Sequence, residues 1–323
     1  MIAPAFRLPL LLAPLLFLAL PAPIGAQTVD QAHPTTATAD TPTLRIGLVA
    51  DVQYADKDTV GRRRYREAGD KLRACVADLA TRNLDFVVDL GDLIDGHGAL
   101  TQAELDRMCA IYKTLPVPVR HVVGNHDLLV GRPALMRSFG LTTPYYEWRL
   151  KGWRFLVLDA LEVSTLGPIG PEEKALAADY LTRQPKLQTY NGALTDRQLD
   201  WLRERLADVP RCGERAIVLC HLPTVLPASN AYHLIWNHEQ VAAILEQSGC
   251  VVAYLSGHDH AGGYAFHAGI HHLTMPGLVE APEGGNGYGV LEVYSDRLVL
   301  TGVGTVISRT MTLTAKEAEV QVP

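Results

Sequence analysis

The chain has 323 residues, of which 48% are hydrophobic and 20% are charged, and its formal net charge is -6 at pH 7. This is the composition of a globular protein that can bury a substantial core, and it excludes a largely disordered chain. The negative balance argues against the phosphate backbone of a nucleic acid as the main partner.

Residues 1–26 have the pattern of an export signal. Arg7 supplies a positive charge and an apolar run follows from Leu8 to Leu20. Two prolines interrupt this run, and it is shorter than the roughly 20 apolar residues that a membrane-spanning helix needs. We therefore expect cleavage after Ala26, no stable membrane insertion afterwards, and a periplasmic or secreted protein.

Three further segments follow the export signal. Residues 27–43 are polar, rich in Thr and Ala, and without hydrophobic periodicity, which predicts a flexible leader. We expect one domain over residues 44–315 and a short C-terminal tail over residues 316–323.

The five cysteines do not form the framework of a small disulfide-rich protein. Their number is odd, so at least one thiol is unpaired. Cys220 and Cys250 lie in or beside apolar segments and are expected to be small buried residues. No pair has the CxxC spacing, which argues against a zinc site built from thiolates.

Short apolar segments alternate with helical patterns along the chain. The apolar segments are residues 45–50, 85–90, 117–123, 216–220 and 251–256. Apolar residues recur at helical spacing over residues 65–79, and again over residues 199–206 behind a Thr195-Asp196 start. Hairpin turns are predicted at residues 151–152, 268–269 and 295–296. This pattern predicts an α/β fold in which two packed mixed β-sheets are flanked by helices, giving four layers.

Each of the five apolar segments ends in polar residues that could bind a metal. These candidate ligands are Asp51, Gln53, Asp92, Asn125, His221, His258 and His260. Because sites in α/β sheets gather at the carboxyl ends of strands, we expect one shared pocket. A single residue such as His221 is more often a core histidine, but the whole set in this order favours a site.

A centre of two divalent metals needs a bridging carboxylate and several further nitrogen or oxygen ligands. Asp92 is the candidate for the bridge. We assign the remaining side chains to two groups: Asp51, Gln53 and His260 for one ion, and Asn125, His221 and His258 for the other.

Five motifs contain these ligands: ADVQYAD (50–56), GDLIDG (91–96), GNHD (124–127), CHLP (220–223) and GHDH (257–260). They resemble the calcineurin-like metallophosphoesterases, and within these the manganese-dependent ADP-ribose/CDP-alcohol diphosphatases. Gln53 stands where the wider superfamily has histidine, as in that subfamily. An amide oxygen makes the site richer in oxygen, which favours manganese on ligand softness, with iron and zinc as alternatives.

The resemblance implies an enzyme that hydrolyses a phosphoanhydride in ADP-ribose or CDP-alcohols, by in-line attack of a hydroxide shared by two metals. His126 would protonate or stabilise the leaving group, with Asp127 fixing its ring. Arg62, Arg63 and Arg64 are expected to open a helix, and at most one or two of them to bind a second phosphate group.

Alternative interpretations stay open at this point. The enzyme could be a broader phosphodiesterase or phosphomonoesterase of the same fold, or the chain could be a noncatalytic metal-containing binding protein. His126 could have only a structural role, and some of the arginines could form a solvated surface. For His267, His271 and His272, placement in a hairpin favours packing or exposure over a role as ligands.

Overall fold

A computed structural model describes residues 41–167 and 170–313. The predicted export signal, most of the predicted leader and the predicted tail lie outside these residues. The described residues belong to a single compact unit.

The described part of the chain contains fourteen strands and six α-helices. The strands are β1 (Leu44–Val49), β2 (Phe86–Asp89), β3 (Val119–His121), β4 (Tyr146–Leu150), β5 (Trp153–Leu158), β6 (Val163–Ser164), β7 (Gly192–Ala193), β8 (Arg215–Cys220), β9 (Val251–Ser256), β10 (Gly263–His267), β11 (Ile270–Thr274), β12 (Gly287–Val293), β13 (Arg297–Gly304) and β14 (Arg309–Thr312). The helices are α1 (Ala68–Leu79), α2 (Thr101–Tyr112), α3 (Arg132–Phe139), α4 (Pro171–Arg183), α5 (Asp196–Asp208) and α6 (His238–Ser248).

Two six-stranded mixed sheets form the centre of the fold. The first has the order β14-β13-β12-β1-β2-β3, in which β1, β2 and β3 are parallel and the other pairings are antiparallel. The second has the order β10-β11-β9-β8-β5-β4, with a parallel centre and an antiparallel strand at each edge. The prediction of two mixed sheets is confirmed.

The two sheets bury a shared hydrophobic core between them. Side chains alternate along β1, so that Ile46 and Leu48 join a cluster that includes Phe155 of β5 and Leu255 of β9. Phe86 of β2 contacts the ring of Phe155 edge to face, with centroids 5.1 Å apart. This contact links one sheet to the other.

The outer face of each sheet packs against helices. Val49 of the first sheet clusters with Leu72 of α1, and Val218 of the second sheet belongs to the same buried cluster as Leu202 of α5. Helix α5 begins as predicted, because the Thr195 side chain accepts a hydrogen bond from the Gln198 backbone N–H at 3.3 Å. Helices outside two sheets give the predicted four layers.

The predicted apolar segments all contain strands, and each predicted turn lies between two strands. The third strand is shorter than expected and covers only Val119–His121. The helix predicted near Tyr65 begins only at Ala68. Arg62, Arg63 and Arg64 therefore lie in the turn before α1, and the prediction that they open the helix is wrong.

None of the helices in the described residues is long and apolar enough to cross a membrane. Cys220 and Cys250 are buried, as predicted. Burial raises the pKa of the Cys220 thiol to about 11, as expected for a small core residue and not for a reactive thiolate.

Candidate metal centre

Five strands bring the predicted ligands to one edge of the molecule. Asp51 follows β1, Asp92 follows β2, Asn125 follows β3, His221 directly follows β8, and His258 follows β9. All five side chains are buried. The carboxyl ends of these parallel strands thus form the shared pocket that the sequence predicts.

Asp92 lies at the centre of this group. Its Oδ2 atom is 3.4 Å from His221 Nε2 and 3.0 Å from Gln53 Nε2. Ligand atoms of Asp92, His221 and His258 all lie within 4.8 Å of one another. A carboxylate in this position can face ligands on both sides, as a bridge between two ions requires.

The remaining ligands lie close to one another. His221 Nε2 is 3.1 Å from Asn125 Oδ1 and 3.2 Å from His258 Nδ1. Asp51 Oδ1 is 3.4 Å from His260 Nε2 and 4.0 Å from His221 Nε2. The structure therefore brings the seven predicted ligands together, with Asn125 and His258 beside His221 and with His260 beside Asp51.

Gln53 shows that the group fits a metal. Its Oε1 atom is buried and has no hydrogen-bond partner among the described residues. Leaving a buried polar atom unpaired costs about 1–3 kcal/mol, and a metal ion would remove that cost. Together with the oxygen atoms of Asp51, Asp92 and Asn125, this donor set suits a hard divalent cation.

Two of the histidines are oriented by hydrogen bonds on the side away from the centre. His221 donates from Nδ1 to the Leu90 carbonyl at 2.8 Å. His260 donates from Nδ1 to Glu280 Oε1 at 3.1 Å. In both cases this hydrogen bond leaves Nε2 facing the centre, the nitrogen that an imidazole must present without a proton when it binds a metal.

Asn191 orients the third histidine. His258 donates from Nε2 to Asn191 Oδ1 at 2.7 Å, which leaves Nδ1 directed at the centre. The Asn191 amide is itself held, because its Nδ2 atom donates to the carbonyls of Tyr232 and Leu234. The sequence does not mark Asn191 or Glu280 as residues that orient a ligand, because Asn191 lies 67 residues from His258 and Glu280 lies 20 residues from His260.

The backbone at the centre is strained. Asp51, Gln53, Asp92 and His258 have positive φ angles of 51°, 42°, 57° and 70°. Residues other than glycine rarely adopt this region, at a cost on the order of 1–2 kcal/mol each, and such residues cluster at functional sites. At Gly124, a Cβ atom would lie only 2.1 Å from the Asp92 backbone nitrogen, so this close approach requires glycine.

The charges at the centre are strongly coupled. Burial opposes ionisation of Asp92, but the imidazoles of His221 and His126 outweigh it and hold the pKa of this carboxyl far below its usual range. Burial likewise opposes charge on His221, yet the Asp92 and Asp51 carboxylates raise its pKa to about 10. The carboxylates thus strongly stabilise a nearby positive charge, and a divalent cation can supply that charge in place of protons.

Asp127 does not fix the ring of His126, and that prediction is wrong. The Asp127 carboxylate is fully buried and accepts backbone hydrogen bonds from Asp92 and Leu93 at 2.9 Å and from Gly124 at 3.0 Å. It therefore joins the loop that carries Asp92 to the loop that carries Asn125. Asp127 thus holds Asp92 and Asn125 in fixed positions relative to each other.

Asp95 holds the His126 ring instead. The Nδ1 atom of His126 donates to the Asp95 carbonyl at 3.0 Å and lies 3.3 Å from the carboxylate oxygen Oδ1. Its Nε2 atom is 4.0 Å from Asp92 Oδ2, at the mouth of the centre. Lys57 pairs with the Asp95 carboxylate from the other side. Asp95 lies three residues after Asp92, within a motif already identified, but no local pattern signals its contact with His126.

The histidines of the β10–β11 hairpin do not belong to the centre. His267 is exposed and pairs with Glu246 at 3.3 Å, and His271 contacts the Tyr264 hydroxyl at 2.9 Å. His272 is buried, and burial lowers its pKa to about 4. The prediction of packing or exposed roles is confirmed.

Known proteins resemble this chain over most of its length. The model of the family described as calcineurin-like phosphoesterase matches residues 44–262. A manganese-dependent ADP-ribose/CDP-alcohol diphosphatase from Danio rerio is 31% identical, over 84% of this chain and 98% of that protein. An Arabidopsis thaliana protein of the same name is 30% identical, over 81% of this chain and 94% of its own length. The crystal structure of a dimetal phosphatase from Danio rerio aligns with a TM-score of 0.77 and 30% identity, over 84% of this chain and all of that one.

We expect Asn191→Ala to weaken metal binding by about 10–100-fold, because His258 would lose the partner that fixes its tautomer and orientation. Isothermal titration of the metal-free protein with Mn²⁺ measures this effect. Gln102→Ala removes an exposed amide that contacts Asp106 and is the control. Unchanged manganese affinity in Asn191→Ala would show that Asn191 does not support the site.

Proposed function

The chain belongs to the calcineurin-like phosphoesterase family, and from this we propose that it hydrolyses the phosphoanhydride of nucleoside-diphosphate-linked compounds such as ADP-ribose or CDP-alcohols. The observation that carries the proposal is the group of seven nitrogen and oxygen ligands around Asp92. The names of the relatives supply the substrate class, and this chain covers nearly their whole length.

The ligand set supports two divalent ions, with manganese favoured. Four side chains offer oxygen atoms and three offer imidazole nitrogens. Such a ligand set suits manganese better than a thiolate-rich set, which favours zinc. When bound, such ions would polarise a phosphoryl group and lower the pKa of a water molecule. The seven side chains would hold the ions.

His126 can manage the proton of the leaving group. Its Nδ1–H is held by Asp95, so its Nε2 atom is fixed at the mouth of the centre. Burial lowers the pKa of His126, which makes its protonated form a stronger acid. A diphosphate substrate has a phosphate ester as leaving group, and a proton delivered from Nε2 would stabilise its departure.

Export is part of the proposal. The apolar run within residues 1–26 supports a cleaved signal and a periplasmic or secreted protein. The substrate would then be a nucleotide-linked small molecule outside the cytoplasm. The formal charge of -6 favours such a partner over a nucleic acid.

We expect the manganese-loaded protein to turn over ADP-ribose or CDP-choline with a higher kcat/KM than bis-p-nitrophenyl phosphate, a cyclic nucleotide or nucleotide monoesters. Product analysis should show AMP or CMP, and the same panel with Zn²⁺ tests the metal preference. A preference for the single-phosphate substrates would support the broader esterase. Inactivity on the whole panel with two metals bound would support a binding protein.

We expect His126→Ala to lower kcat for the diphosphate substrate by about 10²–10⁴-fold, the usual contribution of a positioned acid. The loss should be much smaller for bis-p-nitrophenyl phosphate, because p-nitrophenolate leaves without a proton. Asp95→Asn should show a weaker version of the same pattern, and His97→Ala, a half-exposed histidine, serves as control. With manganese content confirmed as unchanged, near-normal turnover by His126→Ala would remove this residue from the mechanism.

A further inference from the structure

The turn before α1 carries three consecutive arginines that differ in their surroundings. We infer that Arg63 alone binds the non-reacting phosphate group of a diphosphate substrate, whereas Arg62 and Arg64 do not contact the substrate. This inference rests on the proposed function and names the residue that selects diphosphates at that site.

The turn is fixed beside the metal centre. Arg63 and Val60 exchange two backbone hydrogen bonds, at 3.0 and 3.1 Å, which close the turn. The next residue, Arg64, donates its backbone N–H to the Val279 carbonyl at 2.9 Å. Val279 immediately precedes Glu280, the residue that orients His260. The turn therefore has a defined position relative to one of the metal ligands.

Arg62 and Arg64 each have a terminal amino group paired with a carboxylate. Arg62 Nη2 lies 2.7 Å from Glu280 Oε2, while 76% of the Arg62 side chain is exposed. Arg64 Nη1 donates to Glu67 Oε1 at 3.0 Å and lies 3.7 Å from Glu283. Both guanidinium groups therefore hold the turn and the neighbouring loop together.

Arg63 differs in having unused donors near the centre. Its closest approach to a carboxylate is 3.8 Å, from Nε to Glu280 Oε1, and 39% of its side chain is exposed. Neither of its terminal amino groups donates a hydrogen bond to any residue in the described ranges. The same Glu280 oxygen accepts from His260, so the Arg63 guanidinium is separated from a metal ligand by one carboxylate.

The electrostatic influence of Arg63 extends across the mouth of the site. Burial is the main cause of a lowered pKa at Lys57, and repulsion from Arg63 lowers it further. Lys57 pairs with the Asp95 carboxylate, and the Asp95 carbonyl holds the ring of His126, so the positive charge of Arg63 acts on a neighbour of the group that holds His126.

A diphosphate matches this arrangement. When one phosphate group lies on the ligands around Asp92, the second can extend towards the mouth. A guanidinium presents paired N–H donors that match two phosphate oxygens, and such charge-assisted pairs are strong. A substrate with a single phosphate group would leave Arg63 unused, so the residue would favour diphosphates.

The test compares three arginine variants on two kinds of ligand. We expect Arg63→Ala to raise KM for ADP-ribose by about tenfold or more, the loss of one charge-assisted contact, with bis-p-nitrophenyl phosphate little affected. The KM of Arg63→Lys for ADP-ribose should lie between those of Arg63→Ala and the unsubstituted protein. Lysine keeps the positive charge but lacks the paired N–H donors of a guanidinium. Arg64→Ala is the matched control and should stay close to the unsubstituted protein.

A binding measurement separates this inference from the proposed function. Titration of the manganese-loaded protein with the non-hydrolysable α,β-methylene analogue of ADP-ribose, and with AMP, needs no turnover. Arg63→Ala should weaken binding of the analogue and leave AMP binding and manganese affinity unchanged. Equal losses for both ligands, an equal effect of Arg64→Ala, or a loss of manganese affinity like that of Glu280→Gln would overturn the inference.

Discussion

The buried carboxylate of Asp92 determines the rest of this structure. It lies among His221, Gln53 and His126, and the imidazoles around it hold its pKa far below the usual range. An unpaired buried anion costs free energy, so cationic side chains or metal ions must lie beside the Asp92 carboxylate. Three features place the predicted ligands around Asp92: the two sheets, the strained backbone at the ligands, and the hydrogen bonds on the outer side of the histidines.

The protein builds the centre by joining loops that are far apart in sequence. Asp127 accepts backbone hydrogen bonds from the loop after β2 and from the loop after β3, so one carboxylate aligns two ligands. Glu280 orients His260 and also receives Arg62, which joins a metal ligand to the turn before α1. These side chains are not predicted ligands themselves, yet they set the positions of the side chains that are, and this is how a rigid site forms on loops.

The sequence predicts the fold class and the metal ligands because both leave local signals. Apolar strands that end in Asp, Asn or His are visible as short motifs, and alternation of strands with helical patterns indicates the layers. The partner of His126 is not visible in this way, because Asp95 lies 31 residues away and makes its closest contact through a backbone carbonyl. The prediction that the arginines open a helix fails for a similar reason: the backbone of Arg64 bonds to Val279, more than 200 residues further along the chain, and no local pattern reveals that contact. Contacts between distant loops decide which residues support the site, and a single sequence does not show them.

The account depends on two ions sharing the Asp92 carboxylate. Crystals of the manganese-loaded protein, measured at the manganese absorption edge, test this directly through anomalous scattering. We predict two peaks about 4 Å apart on either side of the Asp92 carboxylate, one beside Asp51 and His260 and the other beside Asn125 and His258. A single peak, or two peaks that do not share Asp92, would contradict the account.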